Sequence, residues 1–159
     1  RRILLVDDDA NFRNVMTEYL EGFRGYELRV AVSGEDGLAA LADAVPDIVL
    51  LDLMMPGIGG MAALERMKSA YPDLPVLMVT ANEDLSLARR ALSVGACDYV
   101  TKPFDLDYLD AVLNIYLSRK DPPRERELDF LKKVTTQHLQ PAGLTLSWKI
   151  LGKKDRHGL

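Results

Sequence analysis

The stretch VLLDLMMPG, residues 49–57, gives the clearest first indication of the fold of this chain. Its apolar run stops at Asp52 and the chain then turns within five residues, at Pro56-Gly57. An apolar run without alternation is typical of a parallel strand, because helices cover both faces of a parallel sheet. A polar residue that ends such a strand lies at the edge of the sheet where ligands bind, so Asp52 is a candidate functional residue.

Four more short apolar runs read as strands, at 3–6, 26–32, 75–79 and 96–100. Apolar residues between them recur at spacings of three and four, which predicts amphipathic helices. The clearest stripes are Phe12, Val15, Met16, Tyr19, Leu20 and Phe23, and Leu106, Leu109, Val112, Leu113, Tyr116 and Leu117. Five alternating strand–helix units predict an α/β fold with a doubly wound, five-stranded parallel sheet.

Local signals refine this prediction. Glu27 and Arg29 alternate with Leu28 and Val30, as on an edge strand. Helix N-caps are expected at Ser33 and Asp105, and Asp9 is more suited to capping than to a site.

Charge divides the chain into two parts. Residues 1–117 carry 10 Lys and Arg against 19 Asp and Glu, whereas 118–159 carry 10 against 5. The break falls at Pro122-Pro123, so we predict a domain at 1–119 and a basic C-terminal extension at 120–159. The extension's patterns predict a helix at about 123–140 and a strand at about 144–151, which match no output domain.

Composition also limits location and partners. No apolar run approaches the roughly 20 residues of a membrane span, and RRILLVDDD does not resemble a signal peptide. With a single cysteine, Cys97, a cytoplasmic location is expected and no membrane association. The basic extension lacks interleaved aromatic residues, so we do not expect this chain alone to bind nucleic acid.

The chemistry is predicted where the strands end, at Asp7, Asp8, Asp52, Thr80 and Lys102. Carboxylates about 4 Å apart repel by roughly 4 kcal/mol per pair at an effective dielectric constant of 20, so a cation is expected among them. Oxygen ligands without histidine or cysteine favour Mg²⁺, with Mn²⁺ as an alternative. Both histidines lie in the extension, which excludes a histidine base and a zinc site from 1–120.

A carboxylate beside a metal ion can attack phosphorus. Asp52 is therefore a candidate phosphoacceptor, and Lys102 and the Thr80 hydroxyl could hold the phosphoryl oxygens as charge develops.

Four motifs in this order, ILLVDDD, VLLDLMMPGIGG, VLMVTA and YVTKPF, resemble the receiver domain of two-component response regulators over about residues 1–119. The resemblance implies a flavodoxin-like sheet of strand order 2-1-3-4-5. It also implies a phosphorylation-controlled switch rather than an enzyme, although the domain would assist its own phosphorylation and dephosphorylation. The partner would be a sensor histidine kinase or phosphotransfer protein. A homodimer through the face at 84–119 or through the extension is possible.

Site roles follow from the same resemblance. The metal ligands would be Asp8, Asp52 and the backbone carbonyl of Met54, with Asp7 acting through water. Thr80 would be the switch hydroxyl and Lys102 the pocket lysine, joined to Pro103 by a cis peptide bond. Tyr99 would turn inward when Thr80 is drawn toward the phosphate; simple edge packing of Tyr99 remains the alternative.

Two other functions compete with this prediction. An aspartate-nucleophile phosphatase of the haloacid-dehalogenase type would use Asp7 and Asp9, but Asn11 departs from its motif and Asp52 would have no role. A receiver-like interaction module that never takes phosphate would not need its pocket residues, yet all are present here. Phosphorylation of Asp52 rather than Asp7 would exclude the first, and Mg²⁺ binding would argue against the second.

Overall fold

The computed structural model describes residues 1–118, and the helix and strand predicted for the extension lie outside this range. The elements are β1 (Arg2–Val6), α1 (Ala10–Thr17) continued by a π-helical segment (Glu18–Phe23), β2 (Glu27–Ala31), α2 (Gly34–Asp43), β3 (Ile48–Leu51), α3 (Gly59–Ala70), β4 (Val76–Thr80), α4 (Leu85–Val94), β5 (Asp98–Thr101) and α5 (Leu106–Leu117).

The five strands form one parallel sheet in the order β2-β1-β3-β4-β5, which confirms the predicted α/β fold and strand order. Strands β3 and β4 are buried along their whole length, as is β1 after its first residue, because helices cover both faces. Strand β2 lies at the edge, as its alternating sequence predicted, although Val30 is exposed.

The strands pair almost in step, with Val6 beside Leu51, Leu51 beside Met78, and Thr80 beside Thr101. Their carboxyl ends therefore reach one edge of the sheet together. This register brings the residues that end or follow β1, β3, β4 and β5 to the same edge of the sheet.

The helix N-caps of α1, α2 and α5 lie at the residues that the sequence predicted. The side chains of Asp9, Ser33 and Asp105 accept hydrogen bonds from backbone amides in the first turns of α1, α2 and α5. Within the residues that the structure describes, no helix is long and apolar enough to cross a membrane.

The apolar stripe predicted along α1 is partly wrong. Met16 and Leu20 are buried, but Val15 is 59% exposed and Phe23 is 78% exposed. The helix widens after Thr17 into π-helical hydrogen bonding, so the 3.6-residue spacing no longer applies and Phe23 leaves the core. Its ring instead stacks on Tyr19, with ring centroids 5.8 Å apart.

Candidate functional site

Three carboxylates meet at the carboxyl edge of the sheet. Asp7 and Asp8 follow β1, Asp52 follows β3, and ligand oxygens from all three lie within 4.8 Å of one another. Asp7 and Asp52 are buried, whereas Asp8 is exposed to solvent. The structure thus brings together three of the predicted site residues.

Lys102 supplies a positive charge to this cluster from the end of β5. Its Nζ lies 2.6 Å from Asp7 Oδ2 and 3.7 Å from Asp52 Oδ2. The ammonium also lies 3.8 Å from the centre of the Phe12 ring, a cation–π contact that the sequence did not reveal. The bond between Lys102 and Pro103 is a cis peptide.

The backbone around Asp52 is closely packed. The Met54 amide donates a hydrogen bond to Asp52 Oδ1 at 3.1 Å, and the Gly60 amide donates to the Leu53 carbonyl at 3.0 Å. A Cβ at position 60 would collide with the backbone oxygen of Asp52, so the first turn of α3 can approach the site only with glycine there. The loop after Asp52 is therefore fixed close to the carboxylate.

Burial raises the pKa of Asp52 above its usual value of 3.8. The Lys102 ammonium and the Met54 amide act in the opposite direction, and the negative charge of Asp7 adds to the increase. A carboxylate with a raised pKa is more basic, which favours its use as a nucleophile once it is ionised.

A pH dependence of stability follows. Because folding raises the Asp52 pKa, the folded state binds this proton more tightly than the unfolded state. In EDTA, proton binding therefore stabilises the folded state at low pH, and this stabilisation is lost as the pH rises from about 3.8 through the raised pKa. Asp52→Asn should be more stable than wild type at neutral pH, and the difference should shrink toward pH 4. Urea titrations across this pH range would measure the stability difference, and Asp36→Asn is a control at an exposed carboxylate. An Asp52→Asn variant that is less stable than wild type at neutral pH would contradict the raised pKa of Asp52.

Thr80 and Tyr99 lie on neighbouring strands and are linked through Asn82. Thr80 is fully buried, and its Oγ1 accepts a hydrogen bond from the Asn82 amide at 3.3 Å. The Tyr99 hydroxyl donates to the Asn82 carbonyl at 2.7 Å, and the side chain is 2% exposed. Burial raises the Tyr99 pKa to about 12, with smaller contributions from Asp84 and Asp52. Tyr99 therefore lies inside the domain as a neutral donor.

Asn82 was missed by sequence reasoning. Its side-chain amide also approaches the Met54 sulfur at 3.5 Å, so it connects the loops after β3 and β4. An asparagine two residues after a strand is a common turn residue, and nothing in the sequence distinguishes it from one.

The donor set fits a hard divalent cation. The three carboxylates offer oxygen ligands only, two of them are buried, and a single lysine cannot balance three negative charges. Asp9 does not join this set, because its carboxylate caps α1 by accepting from the amides of Asn11 and Phe12. Because Asp9 caps the helix, this arrangement also argues against the aspartate-nucleophile phosphatase, which would need the Asp9 side chain in the site.

Comparison with known proteins agrees with this geometry. The sequence model of the response regulator receiver domain matches residues 3–114. Regulatory protein AtoC of Escherichia coli is 38% identical over 148 residues, 93% of this chain and 30% of AtoC. The DNA-binding transcriptional regulator NtrC of Salmonella typhimurium is 33% identical over 158 residues, 99% of this chain and 34% of NtrC. The chain thus spans about a third of the length of these relatives.

A solved structure shows the same fold. The receiver domain of NtrX from Brucella abortus superimposes with a TM-score of 0.69 at 34% identity, covering 74% of this chain and 99% of that one. Family match, relatives and structure all point to the same assignment: the chain belongs to the response regulator receiver domain family.

Proposed function

We propose that Asp52 is the residue that accepts the phosphoryl group, and that a sensor histidine kinase or phosphotransfer protein supplies it. The observation that carries this proposal is the position of the buried Asp52 carboxylate, beside two further carboxylates and within 3.7 Å of the Lys102 ammonium. Anionic and cationic groups so arranged suit a reaction in which a carboxylate meets a phosphoryl group.

The two carboxylate oxygens of Asp52 have different neighbours, which supports a different role for each. Met54 engages Oδ1 of Asp52, so Oδ2, which faces Lys102, is the oxygen that would form the bond to phosphorus as the bond from phosphorus to the donor breaks. Lys102 and the Thr80 hydroxyl would then hold the phosphoryl oxygens.

We propose Mg²⁺ as the cation, with Mn²⁺ as an alternative. It would be held by Asp8, Asp52 and the Met54 carbonyl, with Asp7 acting through water. When bound, it would offset the carboxylate charges and polarise the phosphoryl group.

Magnesium binding should raise the melting temperature. The ion binds the folded state and relieves repulsion among the carboxylates, so millimolar Mg²⁺ is expected to stabilise the wild type by about 1–3 kcal/mol. Asp8→Ala should abolish this increase and should melt above the wild type in EDTA, because it removes one repelling charge. Differential scanning fluorimetry with and without Mg²⁺ measures both effects, and Asp36→Ala is a control on the exposed surface.

A wild-type melting curve unaffected by Mg²⁺ would count against the metal site and would favour the interaction module that takes no phosphate.

Phosphorylation would be read out on the face formed by α4, β5 and α5, part of the segment 84–119. Thr80 and Tyr99 both contact the backbone of Asn82, so a change at Thr80 has a short path to Tyr99 and to the start of α4. We propose this face as a partner-binding or homodimer surface.

Hydrogen exchange can test this path. Adding beryllofluoride with Mg²⁺ should change exchange in Leu85–Val94 and Asp98–Thr101 by about threefold or more, while β2, at the opposite edge, should change little. Asp52→Asn with the same additions is the matched control. Equal exchange with and without beryllofluoride would show that a change in the pocket is not transmitted to this face.

We propose that the domain acts in the cytoplasm and controls an output segment or partner protein, without binding nucleic acid by itself. The domain boundary at 119 and the separate extension at 120–159 remain predictions, because the described residues end at 118.

A further inference from the structure

A glutamate outside the pocket holds the loop that follows Asp52. Glu35 lies in the first turn of α2, 23 residues before Ile58, and its Oε1 accepts a hydrogen bond from the Ile58 amide at 2.9 Å. Ile58 directly precedes α3, so this contact connects α2 to the end of the loop 53–58.

The surrounding backbone is shaped around this carboxylate. A Cβ at Gly57 would lie 2.6 Å from Glu35 Oε1, and Gly57 has φ +79°, a conformation that favours glycine. A Cβ at Gly34 would lie 2.9 Å from Ile58 Cγ1, so the start of α2 approaches the loop closely. Backbone amides, first that of Glu35 itself and then that of Ile58, lower the Glu35 pKa, which keeps this acceptor charged.

The other contacts of the loop involve residues closer to the site. The Met54 amide donates to Asp52, the Leu53 carbonyl accepts from Gly60 in the first turn of α3, and the Met54 sulfur lies near the Asn82 side chain. Glu35 connects the far end of the loop to a different helix, α2. A shift of Ile58 would be passed through the Pro56-Gly57 turn to Met54.

We propose that Glu35 is a positioning residue for the phosphoacceptor loop: by holding Ile58, it fixes the Met54 backbone at the metal-binding edge. The proposal rests on the proposed function, in which the Met54 carbonyl and Asp52 take part in binding Mg²⁺. Glu35 touches neither the cation site nor the phosphoryl group, and it acts through the loop.

The test compares three variants of the full chain. Glu35→Ala removes the acceptor, and Glu35→Gln keeps an acceptor oxygen without the charge. Asp36→Ala is the matched control, because Asp36 is an exposed carboxylate in the same first turn and has no hydrogen bond to the loop among the described residues. Both alanine variants lose the same favourable charge at the start of a helix.

Two readouts separate positioning from general stability. In EDTA, amide exchange of Ile58 measured by NMR should be about tenfold faster in Glu35→Ala, and close to wild type in Glu35→Gln and Asp36→Ala. With Mg²⁺ alone, calorimetric titration should show a dissociation constant about three- to tenfold higher in Glu35→Ala, largely restored in Glu35→Gln.

Three results would overturn the proposal: unchanged Ile58 exchange in Glu35→Ala, faster exchange with an unchanged Mg²⁺ dissociation constant, or equal effects of Asp36→Ala and Glu35→Ala. A wild-type chain that binds no Mg²⁺ would instead refute the proposed function. The exchange measurement in EDTA would then still decide whether Glu35 holds the loop.

Discussion

The Asp52→Asn variant is expected to take up no phosphoryl group from acetyl phosphate, whereas the wild type should be phosphorylated in Mg²⁺ and not in EDTA. Asparagine keeps the shape of the side chain but offers a neutral amide, which is a poor nucleophile and a weaker metal ligand. Intact mass or mobility in a Phos-tag gel measures the modification. The expected loss is at least about a hundredfold in initial rate.

Asp9→Asn is the matched control for this experiment. It changes an aspartate two residues from the buried Asp7, but its side chain caps α1, and asparagine is also a good N-cap. Its phosphorylation rate should remain close to wild type. A phosphorylated Asp52→Asn protein would refute the assignment, and a phosphate located on Asp7 would point to the phosphatase alternative.

Replacing Lys102 with methionine should destabilise the metal-free domain by about 2–4 kcal/mol. The substitution keeps much of the side-chain volume but leaves Asp7, which is 1% exposed, without its ion-pair partner. Mg²⁺ should then restore more stability than it gives the wild type, because the cation no longer competes with an ammonium. Urea unfolding in EDTA and in Mg²⁺ would measure both differences.

A surface ion pair provides the comparison. Arg90 contacts Glu65 at 3.0 Å, but both side chains are about half exposed, so Arg90→Met should cost no more than about 0.5 kcal/mol. Its response to Mg²⁺ should equal that of the wild type. If Lys102→Met is as stable in EDTA as the wild type, the lysine does not offset the carboxylate charges.

The sheet and the pocket were predictable for the same reason. Apolar runs locate buried strands, and in a parallel sheet the residues that end neighbouring strands must meet at one edge. Asp7, Asp52 and Lys102 could therefore be grouped although Lys102 is 95 residues from Asp7. The strand order itself came from the family resemblance, because alternation alone identifies an edge strand and not its neighbours.

The contacts that support the pocket were not predictable. Glu35 and Asn82 are polar residues near helix starts, where such residues are common, and their roles depend on backbone groups brought close by the fold. The α1 stripe failed at Phe23 for a different reason, since hydrophobic periodicity assumes a constant helical pitch. The π-helical segment at Glu18–Phe23 changes that pitch.

The order of the strands makes the two sides of the sheet different with respect to Asp52. Asp52 follows the central strand β3; β1 and β2 lie on one side of it, and β4 and β5, with Thr80 and Tyr99, lie on the other. Because Thr80 and Tyr99 both lie on the β4–β5 side of the proposed phosphoacceptor, we expect phosphorylation to change that side of the sheet more than the outer strand β2. A protein bound to the β5 flank would sense phosphorylation, whereas one bound at β2 could remain attached throughout the cycle.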